Sequence, residues 1–236
     1  MTIKKILLLL LIILCVQKSN AQTLEGTSGL FFVPSAEIQA DKQVNVGASF
    51  VNRSLVSFGG FVKDAYTPYI TMSYLPFAEF GVKVTRLINH KSYGQGIGDR
   101  TFSIRVRFID EKEIVPAILV GLHDVLTVFG GTEAIHNNAL YIVASKNYKT
   151  GWKALDNIML NGGYGSDILD AANYNFVGVF GGVLFRFYSI FELMTEYDGK
   201  YTNSGIRLKL FNHISLIAGA LRLKHFSGGL SFNFIL

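Results

Sequence analysis

Residues 101–110 read TFSIRVRFID, and Phe102, Ile104, Val106 and Phe108 alternate strictly with Thr101, Ser103, Arg105 and Arg107. Successive strand side chains point to opposite faces, so this spacing predicts a strand with one apolar and one polar face. Segments of the same kind are predicted at 43–52, 66–75, 78–88, 99–110, 115–124, 139–147, 156–164, 176–187, 190–198, 203–211, 214–223 and 226–235. "LVSFGGF" at 55–61 is a further candidate strand. Twelve is an even number, and most segments approach the ~9–11 residues that a tilted membrane-crossing strand needs. Periodicity alone leaves the orientation open. In a soluble fold the apolar face looks into a core; in an outer-membrane barrel it looks at lipid and the arginines line a lumen.

The first residues bear on that choice. Lys4 and Lys5 precede an eleven-residue apolar run, Ile6–Val16, and Ser19-Asn20-Ala21 supplies small residues before Gln22. This is the pattern of a secretory signal peptide spanning 1–21. The run is too short to cross ~30 Å of hydrocarbon at ~1.5 Å per residue. Leu14 stands before Cys15, where a lipoprotein signal needs a small residue. Removing 1–21 takes away Lys4, Lys5, Lys18 and the single cysteine, leaving 19 basic against 17 acidic residues. The basic balance therefore belongs partly to the leader and gives no argument for nucleic acid. A chain without cysteine has no disulfide or thiolate metal site.

Half of the chain is hydrophobic, Phe and Tyr number 19 and 11, and Gly outnumbers Pro 24 to 4. That composition, with no run long enough for a transmembrane helix, suits a barrel whose outer wall meets lipid. The clearest segments sort into two faces. Phe80, Val82 and Val84 alternate with Gly81, Lys83 and Thr85. Phe191, Leu193, Thr195 and Tyr197 alternate with Glu192, Met194, Glu196 and Asp198. Ile206, Leu208 and Leu210 alternate with Gly205, Arg207 and Lys209. Segments 139–147 and 214–223 are apolar on both faces, so their inward side is unassigned. The end, "GGLSFNFIL", is similar to the aromatic last strand read by the barrel-assembly machinery, with Leu236 where Phe is usual. The expected fold is thus an all-β antiparallel outer-membrane barrel of about twelve strands in one domain, 22–236. Residues 22–41 precede the first strand and either lie in the periplasm or enter the lumen as a plug.

"YSI" (188–190) and "NH" (212–213) read as tight periplasmic turns, and 90–98, 127–138 and 166–175 as longer extracellular loops. "GQGIG" (94–98) lacks dinucleotide spacing and a following helix. "NRS" (52–54) fits a glycosylation acceptor, which has no meaning in a bacterial barrel. His123-Asp124 are adjacent on a strand and so diverge, no nucleophile elbow is present, and the histidines show no metal spacing. No catalytic residue, cofactor or metal is expected.

The charges at period two are the candidate site. Glu79, Lys83, Arg105, Arg107, Glu192, Glu196, Asp198, Arg207 and Lys209 share the predicted inward face. Each Arg or Lys facing lipid near the midplane would cost ~2–4 kcal/mol, so a lumen is where they can reside. Two readings follow: cross-strand ion pairs such as Glu196 with Arg207 or Lys209, or a polar surface for a hydrophilic polymer.

Three stretches carry a resemblance: "GTSGLFFVPSAEIQADKQVNVG" (26–47), "DRTFSIRVRFIDEKEIVPAILVGLHDVLTVFGGTEAIHNNALYIVASKNY" (99–148) and "FGGVLFRFYSIFELMTEYDGKY" (180–201). Together they resemble the YjbH-like outer-membrane proteins associated with exopolysaccharide or capsule production. The resemblance implies an outer-membrane barrel and points to Pro34, Asp124, Ser145, Lys146, Glu196 and Asp198. Many members are much longer, so this chain would be one barrel's worth. The expected function is non-enzymatic help in export or surface anchoring of polysaccharide, with Lys83, Arg105, Arg107, Lys146, Glu192, Glu196, Asp198, Arg207 and Lys209 as polymer contacts. Expected partners are outer-membrane lipid, the barrel-assembly machinery, polysaccharide and other export proteins. The alternatives are a small passive porin, an outer-membrane lipid-modifying enzyme, or a soluble secreted β-sandwich.

Overall fold

A computed structural model describes residues 22–55, 57–58, 61–88, 99–125, 140–166, 176–211 and 213–236. The signal-peptide reading (1–21), the "GQGIG" stretch and most of the three long loops lie outside them. The strands are β1 (Gln43–Val51), β2 (Ser57–Phe58), β3 (Phe61–Val62), β4 (Ala65–Leu75), β5 (Ala78–Leu87), β6 (Asp99–Ile109) and β7 (Ala117–Leu122). They continue as β8 (Leu140–Lys149), β9 (Leu155–Ser166), β10 (Gly178–Phe187), β11 (Phe191–Tyr197), β12 (Thr202–Leu210), β13 (Ile214–Leu221) and β14 (His225–Ile235).

Twelve of these form a closed antiparallel barrel: β4 to β14 pair in sequence order, and β1 pairs with both β14 and β4. Closure satisfies the backbone of every wall strand and leaves no open edge. The 55–61 stretch is no wall strand; β2 and β3 make a two-residue-armed hairpin between β1 and β4. Antiparallel order sends the connections alternately to two ends. One end, the turn end, carries 76–77 and 188–190; the other, the loop end, carries the last residues of β1, β5, β7 and β9 and the first residues of β4, β6, β8 and β10. Tyr188 and Ser189 both adopt positive φ, as do Arg222 and Leu223, the two-residue geometry that matches strand twist.

The alternation sorts as the spacing predicts. On β6, Thr101, Ser103 and Arg105 are buried inside, while Phe102, Ile104, Val106 and Phe108 face outward. On the two segments apolar on both faces, Tyr141, Val143 and Ser145 of β8 and Ser215, Ile217 and Leu221 of β13 are the buried, inward set. β7 and β10 are shorter than predicted. His123 leaves β7, and Phe176 (φ 63°) turns into the interior before β10 begins.

The hydrophobic core lies inside the barrel. Residues 22–36 fold into the lumen, where Leu24, Leu30, Phe31, Val33 and Ala36 have no exposed surface. They pack with Leu119, Tyr141, Met159, Phe180 and Leu184 of the inward wall. Phe32 and Phe176 stack with ring centroids 4.6 Å apart. Each such large side chain removed from water contributes about 1.5–3 kcal/mol before ordering costs. This explains why β8 and β13 read as apolar twice: one face meets the outside and the other meets an apolar plug.

Candidate functional site

A plug without long regular structure carries many backbone polar groups, each needing a partner once buried. Some are satisfied within the segment: the Thr23 amide donates to the Thr27 carbonyl (2.8 Å), and the Leu24 amide to Phe31 (2.9 Å). The inward charges of the wall serve others.

Glu196 of β11 points into the lumen because it alternates with outward Thr195 and Tyr197. Its Oε2 accepts from the amides of Phe31 (3.0 Å) and Val33 (3.1 Å), and its Oε1 from Phe32 (2.9 Å). Asn203 of β12, its cross-strand neighbour, donates to Oε1 at 3.3 Å. One carboxylate thus caps three consecutive plug amides. Glu79 of β5 does the same for the Ser28 amide (3.1 Å), the Ser28 hydroxyl (2.7 Å) and the Gln39 amide (3.2 Å).

Two arginines hold the plug's carbonyls. Arg207 Nη2 donates to Gln22 (3.0 Å), Gly29 (3.0 Å) and Leu30 (2.5 Å). Arg105 Nη2 donates to the carbonyls of Ser35 and Glu37, and its Nη1 pairs with Glu79 at 2.5 Å. Ser145 accepts the Ala36 amide at 2.7 Å and donates to Asn161, which in turn donates to the Pro34 carbonyl at 2.9 Å. Glu25 of the plug meets Lys83 and His123.

Glu192 anchors the turn-end part of the lumen. It pairs with Arg207 (2.5 Å), Arg186 (2.7 Å) and Lys209 (2.8 Å), three cations around one fully buried carboxylate. Losing all partners of such a charge is strongly destabilising. The acidic–basic pairing of β11 with β12 therefore falls on Glu192; Glu196 is taken by the plug instead.

Of the nine predicted contact residues, Lys83, Arg105, Glu192, Glu196 and Arg207 are buried around the plug, and Lys209 joins them through Glu192. Arg107 shares the inward register but sits at the turn-end rim, pairing with Asp110 at 2.7 Å and the Pro76 carbonyl at 3.2 Å. Asp198 caps the 198–201 turn through the amides of Lys200 (2.9 Å) and Tyr201 (2.7 Å). Lys146 is a correction. Its register partner is the exposed Leu160, so it lies on the outward face, where it pairs with Glu111 at 3.1 Å. Ser145 takes the inward place because alternation allows one of the two.

Sequence reasoning missed Arg186 and Glu25. Arg186 shares a period-two face with Phe180 and Leu184 in "FGGVLFRF", a signal that was readable. Glu25 lies in a segment without alternation. Glycines make the fit possible: a Cβ on Gly205 would stand 2.6 Å from the Phe31 ring, and one on Gly219 at 2.8 Å.

These features define a closed twelve-strand barrel whose lumen is filled by its own N-terminal segment. A family model described as exopolysaccharide biosynthesis protein YbjH matches residues 21–220, and the chain belongs to that family. Membership gives it a role related to exopolysaccharide biosynthesis. Comparison with curated proteins gave no match. Of the six positions singled out by resemblance, Pro34, Ser145 and Glu196 all bind plug to wall.

Proposed function

We propose that this chain is an outer-membrane barrel of a Gram-negative cell that works, without catalysis, in exporting exopolysaccharide or anchoring it at the surface. The outer wall carries the membrane reading. Ile70, Val82, Ile142, Leu160, Leu193, Ile206, Leu216 and Leu230 are all exposed on outward registers. Tyr74, Phe77, Phe108, Tyr148, Tyr188 and Phe211 ring the turn end, and Tyr66, Tyr164, Tyr197 and Phe226 the loop end. An exposed apolar band between two aromatic girdles is the surface lipid requires. The turn end then faces the periplasm and the loop end the exterior. Assembly into that membrane engages the barrel-assembly machinery through β14.

The plug supports a resting closed state. Of the charges read as polymer contacts, Lys83, Arg105, Glu196 and Arg207 are engaged by residues 22–39, so a polymer meets the rims first and reaches the lumen after plug movement. The same observation disfavours a passive porin, which predicts steady conductance in a planar bilayer.

Deletion with measurement of polymer in the periplasm, on the cell and in the medium tests the proposal. Retention inside indicates export, and release to the medium indicates anchoring. Unchanged polymer in all three fractions refutes both. Extraction without detergent, with no heat-dependent gel shift, would refute the membrane placement.

A further inference from the structure

The outward face of the wall is apolar along most strands. Its turn-end charges Lys146 and Asp156 are engaged by Glu111 and Ser189, whereas two arginines stand together at the loop end. Arg86 is near the loop end of β5, and Arg100 near the loop end of β6. Arg100 opposes Val84 in the ladder, so Arg86, two residues beyond Val84, is its diagonal neighbour on the same face. Diagonal neighbours across an antiparallel pair lie about 7–8 Å apart. Both arginines are exposed, and among the described residues neither makes an ion pair.

The outward positions of the neighbouring strands hold no carboxylate, and among the described residues the nearest one, Asp64 just before β4, accepts the Arg53 amide at 2.8 Å. On β4 they are Tyr66, Pro68, Ile70, Met72 and Tyr74; on β7, Ile118, Val120 and Leu122. The rest of β5 and β6 offers Phe80, Val82, Val84, Phe102, Ile104 and Phe108. Two like charges side by side on an apolar wall repel, and an anion between them relieves that. The Arg86 guanidinium also lies 5.8 Å from the Tyr66 ring centroid, which holds it along the wall. Near the bilayer interface such a charge costs only ~0–1 kcal/mol, so the placement is tolerated.

We propose that Arg86 and Arg100 form a binding site on the outer wall for the phosphates of a phosphorylated glycolipid in the leaflet at the loop end. Planar guanidiniums grip phosphate oxygens two at a time, and the sugar-linked acyl chains lie against Val82, Phe102 and Ile104. The inference rests on the membrane reading above. The site ties the barrel to the lipid beside the polymer it serves.

The test uses the detergent-purified full chain, delipidated and folded into bilayers, with binding of bis-phosphorylated lipid A read by native mass spectrometry. Wild type retains the lipid, and R86A/R100A binds it roughly tenfold more weakly or worse as charge-assisted bonds are lost. R86K/R100K recovers part of the affinity. Equal binding by wild type and R86A/R100A overturns the site, as does equal binding of dephosphorylated lipid A. Preference for phosphatidylglycerol over lipid A overturns the glycolipid assignment. A wild-type chain that does not insert and shows no heat-dependent gel shift refutes the membrane reading itself, a distinct outcome.

Discussion

Glu196→Gln isolates what holds the plug. The substitution keeps shape and replaces one carboxylate oxygen by an NH2 group. Oε2 serves the Phe31 and Val33 amides, and Oε1 serves the Phe32 amide and the Asn203 side chain. Whichever way the new amide turns, two donors face a donor. Each buried donor left unpaired costs about 1–3 kcal/mol, so seating of the plug weakens by about 2–6 kcal/mol. At ~1.4 kcal/mol per factor of ten, plug opening rises between about 30-fold and about 10⁴-fold. Hydrogen exchange at the amides of residues 31–33 reads this directly, with the heat-dependent gel shift reporting the barrel separately. Bilayer conductance rises in parallel as the lumen empties. Exchange within about threefold of wild type, on a barrel that stays folded, refutes the clamp.

Three further outcomes follow from the same geometry. Arg207→Met strips donors from three plug carbonyls and one cation from Glu192, lowering the unfolding free energy by about 3–5 kcal/mol in urea titration, whereas Lys146→Met on the outer register costs ~1 kcal/mol or less. Gly205→Val drives a methyl into Phe31 and costs about 1–3 kcal/mol by urea titration, while Gly162→Val, with nothing within 4 Å of its Cβ, leaves stability unchanged. At the turn-end rim, burial opposes ionisation of Glu111, but hydrogen bonds from Asn147 and the Lys146 ammonium hold its carboxyl below the ordinary range. Its contribution is therefore present above that range and lost as pH falls through the lowered value; proteolysis of 110–116 rises there in wild type and not in Glu111→Gln.

The wall was legible in the chain. Alternation in "TFSIRVRFID" and its counterparts determined the strands, their number and, on β5, β6, β11 and β12, which side chains share a face. That follows because a strand's period of two is a local property, written in neighbouring residues. The plug was not legible in this way. Residues 22–36 have no period, and their partners lie as far off as Glu196 and Arg207. Only closure of the barrel brings those carboxylates and guanidiniums around one segment. Tertiary structure also decided which of Ser145 and Lys146 turns inward, because an apolar plug erases the contrast that marks a strand's inner face. It decided the role of Arg105 too: the sequence made it an inward charge, and the fold made it a partner of Glu79 and a donor to the plug's carbonyls.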